Sequence, residues 1–134
     1  DYAFSNTSIE KISIPPSLTT IQAGAFFECQ DLLKVDIPSD SKLQIINDYS
    51  FYSTSIFYIF IPPHVTFIGG ASFSNCRLLR QIEIPPNSEL RIIGNGAFSY
   101  SGIERINVPS CLTEIHCNAF HKSLLSIIEM PGNS

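Results

Sequence analysis

The sequence predicts a β-solenoid of parallel strands, about six coils long. Three observations carry this reading. The chain repeats every 47 residues: residues 16–62 align on residues 63–109 without a gap, and 16 of the 47 positions are identical. A Phe preceded by a small residue recurs at Phe4, Phe26, Phe51, Phe73, Phe98 and Phe120, at alternating spacings of 22 and 25 residues. An aliphatic residue or Met precedes Pro six times, from Ile14-Pro15 to Met130-Pro131. Repetition at this length marks a solenoid, in which each unit buries its apolar face only against its neighbours.

Each coil reads in the same order. Just before the Pro, apolar residues alternate: Ile12/Ile14, Val35/Ile37, Ile59/Ile61, Ile82/Ile84, Ile106/Val108 and Ile128/Met130. Period two with β-branched residues is a short strand. Pro ends it, because Pro has no N–H to give the ladder. An apolar return segment follows, with pairs three residues apart such as Leu18/Ile21 and Leu43/Ile46. The Phe comes five residues later and marks the second turn. Every coil runs the same way, so corresponding strands stack in parallel about 4.8 Å apart, and the Phe rings are expected to stack as an internal ladder. The longer coils carry a three-residue insertion, Ser41-Lys42-Leu43 and Ser88-Glu89-Leu90, expected to bulge outward. A sandwich or barrel also has closely spaced short strands, but does not repeat a Phe, a Pro and five aliphatics in register.

The bulk numbers fit one folded domain. Of 134 residues, 44 % are hydrophobic and 15 % charged, and the net charge is −4 from 8 Lys+Arg and 12 Asp+Glu. That is too apolar for disorder. No basic block or aromatic-basic stripe suggests nucleic acid, and no apolar run approaches the roughly 20 residues of a membrane helix. The chain begins in mid-repeat without Met, so residues 1–134 are expected to form a single domain within a longer repeat array. Without polar caps, the ends are expected to expose apolar core and to pair end to end or fray.

The unit Ile-Pro-Pro-x-Val-x-x-Ile-Gly-x-x-Ser-Phe-x-x-Cys at residues 61–76 resembles the BspA-like leucine-rich repeat (surface antigen) family, as do Leu-x-x-Val-x-Ile-Pro at residues 32–38 and Leu-x-x-Ile-x-Ile-Pro at residues 79–85. The resemblance covers essentially the whole chain. It implies a right-handed leucine-rich repeat solenoid, a strand-rich horseshoe of the α/β type with its parallel sheet on the concave face. It also implies a cell-surface or secreted protein of host-associated bacteria or parasitic protists, with roles in adhesion and host–pathogen contact. Cys occupies its motif position only at Cys29 and Cys76; Thr7, Thr54, Ser101 and Ser123 stand there in the other coils.

Strand alternation sends the residues between the buried aliphatics to the concave face. Five of the six rows carry a polar or charged residue. The third carries Tyr58 and Phe60, with Phe57 beside them. Exposed aromatics bordered by charge are typical interface anchors, with Lys34, Asp36, Gln81, Glu83 and Arg105 as the polar rim. The expected partner is a protein or glycan ligand, such as host matrix or another cell surface. The same aromatic patch, or the uncapped ends, could instead mediate self-association. The alternative function is an intracellular, cytoplasmic leucine-rich repeat scaffold.

Nothing in the sequence points to catalysis, a cofactor or a metal. Cys29 and Cys76 lie two coils apart, roughly 10 Å at the strand spacing, too far for a disulfide. They read as buried thiols, and free thiols favour a reducing compartment. Cys111, His116, Cys117 and His121 lack the spacing of a zinc finger and fall on ordinary repeat positions. Gly94-x-Gly96 lacks the third Gly of a dinucleotide fingerprint. No nucleophile-elbow motif or close carboxylate pair is present, so no enzyme activity is expected.

Overall fold

The computed structural model describes residues 1–131. Eleven short strands wind as a parallel β-solenoid of about five turns. Six three-residue strands form the front: β1 (Lys11–Ser13), β3 (Lys34–Asp36), β5 (Tyr58–Phe60), β7 (Gln81–Glu83), β9 (Arg105–Asn107) and β11 (Ile127–Glu129). Five two-residue strands form the back: β2 (Thr20–Ile21), β4 (Ile45–Ile46), β6 (Phe67–Ile68), β8 (Ile92–Ile93) and β10 (Glu114–Ile115). No helix occurs among the described residues. The return segments, which are helical in an α/β horseshoe, are strands here. A few residues between two turns cannot nucleate a helix, and their Ile and Thr suit a pleated surface.

The core is a column of stacked residues. Phe4, Phe26, Phe51, Phe73, Phe98 and Phe120 form a continuous ladder with ring centroids 5.2–5.5 Å apart and planes within 11° of parallel. The three central rings, Phe51, Phe73 and Phe98, are fully buried. Ile21, Ile46, Ile68 and Ile93 line the back of the core, and Val35, Ile59, Ile82 and Ile106 the front. Apolar residues of the outermost coils are exposed, Phe4 by 45 %, Ile128 by 59 % and Met130 by 71 %.

The Phe turn has a regular backbone. Two residues before and two after each Phe, the chain is left-handed: Tyr2, Gly24, Tyr49, Ala71, Gly96 and Asn118 on one side, Asn6, Glu28, Ser53, Asn75, Tyr100 and Lys122 on the other, all with φ between 53° and 66°. Ten of these twelve residues are not Gly, although the left-handed region costs an L-residue roughly 1–2 kcal/mol. Gly94 has a different role. A Cβ there would lie 2.7 Å from the Gly70 nitrogen, so the backbones approach too closely for any side chain.

The insertions of the long coils do not hang loose. Ser41 and Ser88 turn inward and are buried, and their Oγ atoms accept the N–H groups of Leu43 and Leu90, each at 3.1 Å. The middle residues Lys42 and Glu89 stay exposed but donate N–H to the carbonyls of Pro16 and Pro63 in the preceding coil, at 2.9 and 2.8 Å.

The two faces of the solenoid differ in continuity. The back strands pair in one unbroken parallel sheet, β2-β4-β6-β8-β10. The front strands pair only as β1-β3, β5-β7 and β9-β11, so the front opens between β3 and β5 and between β7 and β9. Residue counts explain the break. From Phe to front strand is seven residues at Phe4, Phe51, Phe98 and Phe120, but eight at Phe26 and Phe73. A seven-residue coil followed by an eight-residue coil pairs, as do the final two seven-residue coils. An eight-residue coil followed by a seven-residue coil does not.

Candidate functional site

The two openings in the front sheet are grooves. The first, about 250 Å³, is lined by Leu33, Lys34, Val35, Asp36, Phe57 and Tyr58. The second, about 300 Å³, is lined by Gln81, Ile82, Glu83, Arg105, Asn107 and Glu129. The buried Val35 and Ile82 lie at their bases. Seven of the eight residues expected from sequence to form the binding face therefore fall in these two grooves. Phe60 lines neither, though it follows Tyr58 on the same face of β5 and is half-buried.

Unpaired backbone accompanies the first groove. In the β5-β7 pair, Gln81 N–H donates to Phe57 O at 3.4 Å and Ile61 N–H donates to Glu83 O at 2.9 Å. Alternation along a parallel ladder gives the Ile59 N–H to β7 and turns those of Tyr58 and Phe60 toward β3, with which β5 does not pair. Peptide groups without a sheet partner are a ready surface for hydrogen bonding.

The grooves differ in chemistry. The first has apolar walls, with Phe57 exposed by 55 % and Leu33 by 45 %. Its lip is charged: Asp36 pairs with Lys11 at 3.4 Å and with Lys34 at 3.6 Å. The second groove is polar, and Arg105 on its β9 wall holds Glu129 of β11 at 3.1 Å. Tyr58 joins the two by donating its hydroxyl to Glu83 Oε1. Burial pushes the Tyr58 phenol up to about 12; the bond to Glu83, and then the Glu83 charge, push it the same way. Tyr58 is thus a neutral donor already committed within the site. The expected aromatic patch is less uniform than its sequence. Phe57 stands free at the strand's start, while Tyr58 and Phe60 are half-buried.

Sequence reasoning missed Leu33. It precedes β3 as Phe57 precedes β5, and comparing those two positions would have found it. It also missed an aromatic cluster on the Phe-turn edge. Tyr2, Phe27, Tyr49 and Tyr52 pack ring to ring there, with Phe27 stacked on Tyr52 at 4.9 Å. The signal was Tyr2 and Tyr49, two residues before a ladder Phe, where Gly24 and Gly96 stand in sister coils.

The remaining candidates take structural places. All four cysteines are free thiols, Cys29 and Cys76 buried, Cys111 and Cys117 exposed. The buried pair donate S–H to the carbonyls of Phe4 and Phe51 in the preceding coils, at 2.9 and 3.1 Å. His116 pairs with Glu114, and His121 meets the ring of Tyr100 edge-on. Among the described residues no helix is long and apolar enough to cross a membrane.

Comparison with known proteins agrees with this architecture. The fold is similar to the pneumococcal vaccine antigen PcpA, with a TM-score of 0.86 at 22 % identity over 95 % of this chain and 34 % of that one. A leucine-rich repeat protein from Bacteroides ovatus gives a TM-score of 0.64 at 25 % identity over 92 % of this chain and 38 % of that one. A leucine rich cell surface protein from Faecalibacterium prausnitzii gives 0.61 at 24 % identity over 96 % and 41 %. The chain therefore spans between a third and about two fifths of the length of these three proteins. No curated protein matches in sequence. Six copies of the BspA type leucine rich repeat region match over residues 1–129; the chain belongs to the BspA type leucine-rich repeat family.

Proposed function

We propose that this chain is a non-catalytic binding module of a cell-surface protein, and that it engages a protein or glycan ligand through the grooves of its front sheet. The observation that carries this is the first groove. It places exposed Leu33 and Phe57 against unpaired strand backbone, beside the charged lip of Lys34 and Asp36. Apolar anchors next to backbone donors and a charged border suit an extended peptide or a sugar face. The surface assignment is supported by the similarity to a vaccine antigen and to a cell surface protein. The two motif cysteines do not oppose it, because both are enclosed in the core, and burial pushes Cys76 up to about 11.

The test is a binding screen of the chain against matrix proteins and glycan arrays, with a Phe57→Ala/Tyr58→Ala double variant beside it. Loss of a groove anchor should weaken a bound ligand by roughly tenfold or more, the range of interface hot spots. A ligand that binds both proteins equally would exclude the groove as its site. Antibody labelling of intact cells checks the location.

A further inference from the structure

The Phe-turn edge divides by charge. Around the first three Phe residues, segments 1–9, 22–31 and 47–56 contain Asp1, Glu28, Asp31 and Asp48 and no Lys, Arg or His. Around the last three, segments 69–78, 94–103 and 116–125 contain Arg77, Lys122, His116 and His121 and no Asp or Glu. One edge of the solenoid is thus acidic over coils one to three and carries its cations, Arg77 and Lys122, on coils four and six.

Shape divides at the same place. The residue after the ladder Phe is aromatic in coils two and three, Phe27 and Tyr52, and small in coils four and five, Ser74 and Ser99, while coil one has Ser5 and coil six His121. Those two serines are buried and joined at 2.8 Å. Bulk on one half therefore faces relief on the other if two edges meet in reverse. Tyr2 and Tyr49 remain exposed by 50 % and 44 %. Both hold the left-handed backbone where Gly24 and Gly96 stand in sister coils. Keeping a large ring where Gly is less strained points to a use for the ring. The basic half already shows one such use: Arg77 lies over the ring of Tyr100, 5.8 Å from its centre.

We propose that this edge binds a second copy of the chain about a two-fold axis between coils three and four, the two solenoids lying antiparallel edge to edge. An isologous interface must be self-complementary, and this edge is. The rotation sets coil one against coil six and coil three against coil four. It keeps each side of the Phe turn against the same side of the other copy. Lys122 of each copy faces the Asn6 side of coil one, one coil from Glu28, and Arg77 faces the Ser55 side of coil three, one coil from Asp31. Each cation gains a nearby carboxylate of the other copy. This surface is separate from the front grooves and leaves them open.

Sedimentation velocity of the chain over a concentration series tests it. The wild type forms a dimer that weakens as salt rises, because exposed charges are screened. Glu28→Lys/Asp31→Lys makes both halves basic, and Arg77→Glu/Lys122→Glu makes both acidic. Each variant alone dimerises roughly tenfold or more weakly, and an equimolar mixture of the two restores a one-to-one dimer. Circular dichroism confirms that both are folded, and the salt series on the wild type stands without them. A wild type that stays monomeric throughout overturns the proposal. So does a dimer that both charge-reversed variants leave intact, which would place the contact on another face.

Discussion

Single residues carry most of the chemistry that can be probed directly. The thiols divide cleanly. Cys29 and Cys76 are wholly enclosed and bonded to carbonyls, while Cys111 and Cys117 face solvent. A thiol reagent should therefore titrate two groups in the native protein and all four after denaturation. Fast labelling of more than two would mean that the Phe turns open readily. Tyr58 gives a second residue-scale prediction. Its folded value lies near 12 against 10.0 for a free phenol. A group whose proton is held more tightly in the folded state contributes stability that is complete below its unfolded value and is lost as pH rises through the folded one. That window is about pH 10 to 12. Tyr58→Phe should remove the last phase of phenolate absorbance and flatten the fall in stability across the window. Glu83→Gln should bring the phase earlier only in part, since burial is the larger cause.

The ladder is the element that sets both turns and core. Phe73 stacks on Phe51 at 5.3 Å and on Phe98 at 5.2 Å, fully buried between them. Phe73→Ala should cost about 3–5 kcal/mol, as for large cavities in rigid cores. Phe4, exposed by 45 % and stacked on one side only, should cost less when changed to Ala. Chemical denaturation of the two variants makes the comparison; equal losses would show that the ladder is not the source. The residue before each Phe gives a change of opposite sign. Ser50 and Ser72 bury hydroxyls with no hydrogen-bond partner among the described residues, where Ala stands at Ala25 and Ala97. Ser72→Ala should be neutral or gain up to about 1 kcal/mol, because an unpaired buried hydroxyl is lost. All of this was close to legible in the sequence, since the 22/25 spacing locates each Phe and its small neighbour. The back sheet was less so. Pairs of aliphatics three apart fit any return segment, and only their stacking in three dimensions makes them strands.

At the scale of the whole molecule, neighbouring coils are not joined equally. In a solenoid, stability is close to a sum of coil terms and nearest-neighbour terms, so a missing sheet pairing weakens one junction only. The junctions between coils two and three and between coils four and five hold on the back and lack pairing on the front. Seven of the eight candidate residues came from alternation and Phe57 from its place beside Tyr58, but their grouping into two grooves was not legible. That grouping follows from a one-residue difference in the Phe-to-strand distance, visible only when strands are set side by side. Hydrogen exchange reads the difference directly. On the back, the N–H groups of Asn47, Gly69, Gly94 and His116 each donate to the preceding coil at 2.7–3.0 Å and should be protected. On the front, the Ile59 N–H points to β7 and should be protected, while those of Tyr58 and Phe60, facing the gap, should exchange faster. Equal protection on both sides of β5 would show that the front sheet closes in solution and that the groove is transient. A ligand seated in the first groove by backbone pairing should slow Tyr58 and Phe60 and leave the back row unchanged. A ligand on the Phe-turn edge should slow neither.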